Sequence, residues 1–104
     1  MGGKVRISFA HSAIEDLEQV LAYYTAEGVP EVGRRLVADV VAAVETLATH
    51  PDMGKVVPEF NTDNLRELIR PPFRIVYRRE TSKVRVVRVW RSERLLKLPA
   101  DRES

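Results

Sequence analysis

The chain has 104 residues, with 17 Lys and Arg against 15 Asp and Glu, two histidines and no cysteine. That length suits one domain, residues 1–104 with a core over about 5–96, which buries roughly 65 % of its unfolded surface without staples. The lack of cysteine excludes a disulfide framework, a thiolate metal site and a thiol nucleophile, and two distant histidines make a zinc site unexpected, so no metal or cofactor is expected.

No run of about 18 apolar residues occurs, nor a charged n-region leading into an apolar h-region. Neither membrane span nor signal peptide is expected, and a cytoplasmic location is. The formal charge of +2 is unevenly distributed: residues 64–98 carry 11 bases and 3 acids, whereas residues 1–63 carry 5 bases and 10 acids. Arginine outnumbers lysine 13 to 4. Because guanidinium pairs with phosphate and carboxylate in bidentate fashion, this favours a partner rich in one or the other. The plain alternative is a solvated basic face.

Residues 5–9 (VRISF) alternate as a half-buried strand should. Ser12 then opens an S-x-x-E capping pattern with Glu15, and a helix is expected from there to about Ala26, its buried stripe formed by Ile14, Leu17, Val20 or Leu21, and Tyr24. Gly28 ends it, and Pro30 suits the first turn of the next helix. That second helix, about residues 31–49, has a main stripe at Leu36, Val40, Ala43, Val44 and Leu47. A second row, Val37, Val41 and Ala48, either fills the crevice against the first helix or forms a partner surface. The turn HPDMG (residues 50–54) closes the helix, and a loop with at most a short extended piece runs on to Asn64.

Three β-prone runs follow, residues 65–69, 73–78 and 84–90. Arg70-Pro71-Pro72 is too short for a crossover helix and Glu80 to Lys83 fits a tight hairpin, so these runs form an antiparallel meander. The expected class is α+β, with the order β-αα-βββ and a helical hairpin on one face of the sheet. In the middle run Phe73, Ile75 and Tyr77 share the face toward the helices, and Arg74, Val76 and Arg78 share the face left open. In the last run, Val87 and Val89 share parity with Arg85 and Arg91, whereas Val84, Val86 and Trp90 share it with Arg88; parity alone does not choose between them.

The stretches PDMGKVVPE, LRELIRPPFRIVYRR and VRVVRVWRSER, in this order and spacing, resemble the RelE/ParE superfamily of type II toxins over nearly the whole chain. Such toxins share the order strand, helical hairpin, three-stranded meander. The resemblance implies a toxin encoded beside an antitoxin whose tail wraps it in a hetero-oligomer. RelE-like members cut mRNA at the ribosome; ParE-like members inhibit DNA gyrase.

Cutting RNA by 2′-hydroxyl attack needs a proton acceptor, a proton donor and cations around the phosphate. By resemblance Arg74 and Arg94 stand where such members carry charge-stabilising arginines, and Arg66 stands near a position that can hold a catalytic lysine. Arginine is a poor proton shuttle, and after Arg94 the chain reads Leu95, Leu96, Lys97, Leu98 with neither tyrosine nor histidine. His11 and His50 fall at helix ends. Many ParE-like members have a W-H-x-x-R ending; here Arg91 replaces the histidine, while Trp90 and Arg94 remain.

The expectation is a ParE-like gyrase inhibitor that is not itself an enzyme. The alternatives are a ribosome-dependent mRNA endonuclease or an inactive module that only binds antitoxin. Arg66, Arg74, Arg78, Arg88, Trp90, Arg91, Arg94, Leu95 and Leu96 are the candidate contacts for the target or for an acidic or amphipathic antitoxin tail. Trp90 is either a core residue under the C-terminal turn or an exposed contact. Leu95, Leu96 and Leu98 either fold back on the sheet or await an antitoxin helix.

Overall fold

The computed structural model of the chain describes residues 4–58, 60, 62 and 64–91. Its elements are β1 (Arg6–Phe9), α1 (His11–Ala26), α2 (Pro30–Glu45) with a 3-10 turn at Thr46–Ala48, β2 (Lys55–Val56), β3 (Leu65–Arg70), β4 (Phe73–Arg79) and β5 (Lys83–Arg91). The sheet order is β1-β5-β4-β3-β2. β1 runs parallel to β5 and the other pairs are antiparallel, so the expected α+β order holds, with β2 as the short extended piece before the meander.

α1 begins two residues earlier than the capping pattern implies. Ala10 is its N-cap and offers no side-chain bond; Ser12 lies inside the helix and donates its hydroxyl to the Val87 carbonyl at 2.6 Å. A tertiary acceptor has drawn the serine away from the local cap. The buried stripe is also rotated. Ala13 is fully buried while Ile14 is 42 % exposed, because α1 lies close enough to β5 for the Ser12 bond to form and only a small side chain fits beneath it. Leu17 and Val20 pack against the core as expected.

The helices are joined by a Schellman turn: Val29 N–H donates to Tyr24 O (2.9 Å), Gly28 N–H donates to Thr25 O (3.0 Å), and Gly28 has φ +81. That left-handed conformation favours glycine. Pro30 opens α2, which buries Val40, Ala43 and Val44 and continues to buried Leu47 in the 3-10 turn. Val37, Val41 and Ala48 are half-buried. The Ala48 carbonyl accepts Val5 N–H at 2.9 Å, so that end of the row is engaged by the chain itself.

On the helix side of the sheet Phe73, Ile75 and Tyr77 are buried with Leu68, Val84, Val86 and Val89, each large side chain stabilising the fold by roughly 1.5–3 kcal/mol. The β5 register follows neither simple parity. Tyr77 pairs with Val86 but Val76 pairs with Arg88, so Val87 is an extra residue in a β-bulge. Inward parity therefore passes from Val84 and Val86 to Val89 and Arg91, while Arg85 faces out on one side of the bulge and Arg88 and Trp90 on the other.

Candidate functional site

The meander's arginines divide between the two faces of the sheet. Arg74, Arg78 and Arg88, with Trp90, lie on the face away from the helices; Arg66 and Arg91 pair with Tyr77 and Phe73 and share the helix side. The nine residues proposed from sequence therefore do not form one surface. Arg94, Leu95 and Leu96 lie outside the described residues.

Arg66 belongs to a clamp on the turn at residues 50–54. The Tyr77 hydroxyl donates to Pro51 O (2.8 Å) and accepts from Gly54 N–H (3.0 Å). Arg66 Nη1 donates to Gly54 O (2.8 Å), and Arg79 Nε donates to Asp52 Oδ1 (3.0 Å). The turn requires glycine, since a Cβ on Gly54 would lie 2.5 Å from the Glu67 carbonyl oxygen and 2.7 Å from the Tyr77 hydroxyl. Burial pushes the Tyr77 hydroxyl above its ordinary range; the Gly54 hydrogen bond and the Arg66 charge act in the opposite direction.

Arg91 reaches Tyr24 on α1 (Nη1 to the hydroxyl, 3.3 Å) with its guanidinium 5.9 Å from the centre of the Phe73 ring. It lies where helix layer and sheet meet.

The open face is less bare than parity predicts. Val76 is buried, with Glu67 and Arg88 directly opposite it on the flanking strands. Arg74 and Glu67 form an ion pair across β3 and β4, their side chains only 11 % and 6 % exposed. Stems of long charged side chains cover the valine while their ends remain paired.

Arg88 is held from α1. Asp16 Oδ2 accepts Arg88 Nε at 2.8 Å and Oδ1 accepts Nη2 at 3.0 Å, which holds the guanidinium even more firmly protonated than usual. The guanidinium carbon lies 5.0 Å from the Trp90 ring centre, within cation–π range. Trp90 is half-buried, so it is neither a core residue nor a fully presented contact.

Sequence reasoning missed Arg6, Lys83 and Arg85. Ser8 pairs with Arg85, Arg6 with Lys83, and Arg78 with Arg85, which places four cations on three adjacent strands of the open face. The signal was the alternation before the bulge, where inward Val84 and Val86 leave Lys83 and Arg85 outward.

No histidine or tyrosine joins the open-face set. Tyr77 belongs to the opposite face, His11 pairs with Glu15 at the start of α1 (3.0 Å), and His50 lies beside Thr49 after the 3-10 turn (3.0 Å). Among the described residues no group of His, Cys, Asp and Glu is placed to hold a metal ion, and no helix is long and apolar enough to cross a membrane.

Comparison with solved structures finds the same fold in the chromosomal ParDE toxin–antitoxin system from P. aeruginosa, with TM-score 0.69 and 23 % identity over 85 % of this chain and 96 % of that one. The toxin–antitoxin complex RelBE2 from Mycobacterium tuberculosis gives TM-score 0.63 and 21 % identity over 85 % and 98 %. A search of curated proteins finds no significant match. The family model for the ParE toxin of the type II toxin–antitoxin system parDE matches residues 7–96, from β1 through the whole sheet, and the chain therefore belongs to the ParE toxin family.

Proposed function

We propose that this ParE-family toxin arrests growth by binding DNA gyrase and stabilising its cleaved DNA complex, and that a cognate antitoxin neutralises it. The observation that carries this reading is the make-up of the open face. Among the described residues it presents Arg74, Arg78, Arg85 and Arg88 beside Glu67, whose carboxylate is committed to Arg74, and no histidine or tyrosine that could pass protons to and from a ribose hydroxyl. Such a surface suits binding rather than phosphodiester chemistry.

The antitoxin partner is read by analogy with the toxin–antitoxin assemblies of similar fold. An acidic or amphipathic tail would cover Arg74, Arg88 and Trp90 and extend to Arg91, with Arg94, Leu95 and Leu96 as further contacts.

The test is a supercoiling assay with purified gyrase, ATP and the toxin, run beside a translation reaction scored for mRNA cuts. Accumulated cleaved DNA with intact mRNA is expected. Ribosome-dependent cuts with normal supercoiling would replace this reading with the nuclease one.

A further inference from the structure

We propose that the corner of the open face formed by Arg6, Arg78, Lys83 and Arg85 is a docking surface for the phosphate backbone of duplex DNA. The cations are contiguous through strand pairing: Arg6 beside Lys83, and Arg78 directly across from Arg85. Like charges directly opposite one another in a sheet oppose folding. Here they are also weakly neutralised. Among the described residues the carboxylate within ion-pair distance of the four is Glu80, 3.7 Å from Lys83, and Arg85 donates to the neutral Ser8 hydroxyl at 3.3 Å. Elsewhere in the sheet Arg74, Arg79 and Arg88 each have a carboxylate, from Glu67, Asp52 and Asp16. Among the described residues Arg6, Arg78 and Arg85 have no carboxylate within ion-pair distance and stand together at this corner, whereas Lys55 and Arg70, also without one, lie apart on β2 and β3.

The surroundings select the anion. An extended acidic peptide draws much of its affinity from a free strand edge and from pockets for alternate side chains. β4 and β5, which carry Arg78, Lys83 and Arg85, are interior strands; β1 is an edge strand of four residues, and just before it the Ala48 carbonyl takes Val5 N–H. The same-face neighbours are the polar Ser8, across from Arg85, and the half-buried Leu65, across from Arg78, rather than a row of apolar pockets for alternate side chains. Single-stranded nucleic acid needs aromatic platforms on which bases stack; the open-face aromatic is Trp90, at the far end of β5 under Arg88. A duplex backbone presents charge without requiring either.

This goes beyond gyrase inhibition and is measured without gyrase, so either reading can fail alone. The experiment is fluorescence anisotropy of the full chain with a labelled duplex of about 20 base pairs over about 50–200 mM NaCl, where four neutralised phosphates give a log–log salt slope of about −3.6. Arg78→Gln/Arg85→Gln should weaken binding about tenfold or more at low salt and reduce the slope by about 2. Arg34→Gln/Arg35→Gln on α2, with the same charge removed, should leave binding unchanged. Neither variant should melt below the parent, since Arg78 and Arg85 oppose one another across the sheet and Arg34 and Arg35 are exposed on α2. Absent binding at the lowest salt, equal effects of the two double variants, or tighter binding of polyglutamate or a single strand of equal length would each overturn the proposal.

Discussion

Asp16 stands in for a neighbouring strand along the outer edge of β5. Where β1 ends at Phe9, the edge of β5 would be left with unpaired backbone groups; the Asp16 carboxylate accepts Val89 N–H at 2.8 Å while binding Arg88, and Ser12, one helical turn earlier, takes the Val87 carbonyl. The i, i+4 spacing of the two side chains matches the two-residue repeat of the strand edge. α1 is thereby fixed to the strand that carries Arg88 and Trp90.

Replacing Asp16 with Ala should therefore destabilise the fold by about 2–3 kcal/mol, and Ser12→Ala by about 1 kcal/mol, since charge-assisted bonds count for more. Chemical denaturation measures both. No loss in either variant would mean that the helix is held by apolar contact alone.

The Glu67–Arg74 pair is nearly buried, so removing one member leaves the other charged and desolvated. Arg74→Met should cost about 3 kcal/mol, and adding Glu67→Gln should restore part of that loss. A double-mutant cycle reads the coupling, and additive losses would show that the pair is not interacting.

Two glycines should respond differently to alanine. Gly28→Ala meets no neighbour but is strained at φ +81, costing about 1 kcal/mol. Gly54→Ala collides with the Glu67 backbone and the Tyr77 hydroxyl and should cost about 3 kcal/mol or more, because the turn must move. Comparison of melting temperatures checks the order.

Tyr77 makes stability sensitive to alkali. Its hydroxyl is raised above 10.0 in the fold by burial, so its contribution is fully present below the unfolded value and is lost as pH rises through and beyond it. Tyr77→Phe should lower stability by about 1–2 kcal/mol near neutrality through the lost bonds to Pro51 and Gly54. Its melting temperature should then fall less than the parent's between about pH 9 and 11. Parallel curves would exclude Tyr77 as the source.

For toxicity, expression of the chain alone should arrest growth and induce the DNA-damage response. Arg91→Glu/Arg94→Glu should relieve the arrest more than Arg34→Glu/Arg35→Glu on α2. Growth curves at matched soluble expression decide this; equal relief would remove the meander from the target surface.

The order of elements, the meander and the inward face of β4 were legible because they depend on local signals: Pro and Gly at the turns, a two-residue repeat in the strands, a three-to-four-residue repeat in the helices. The family was legible for the same reason, since its stretches lie on those elements. Short-range patterns could not reveal where a side chain finds a better partner far along the chain. Ser12 reads as a cap and is bonded 75 residues away; Arg66 reads as a surface contact and holds a turn 12 residues earlier. The bulge at Val87 is a third case, because its reversal of parity divides the outward arginines into the Arg85 corner and the Arg88–Trp90 group. Sequence by itself determined which elements form and that the sheet is rich in arginine. Only the tertiary structure decided which arginines are neutralised and which remain available, because that depends on carboxylates brought close by chain folding rather than by chain order.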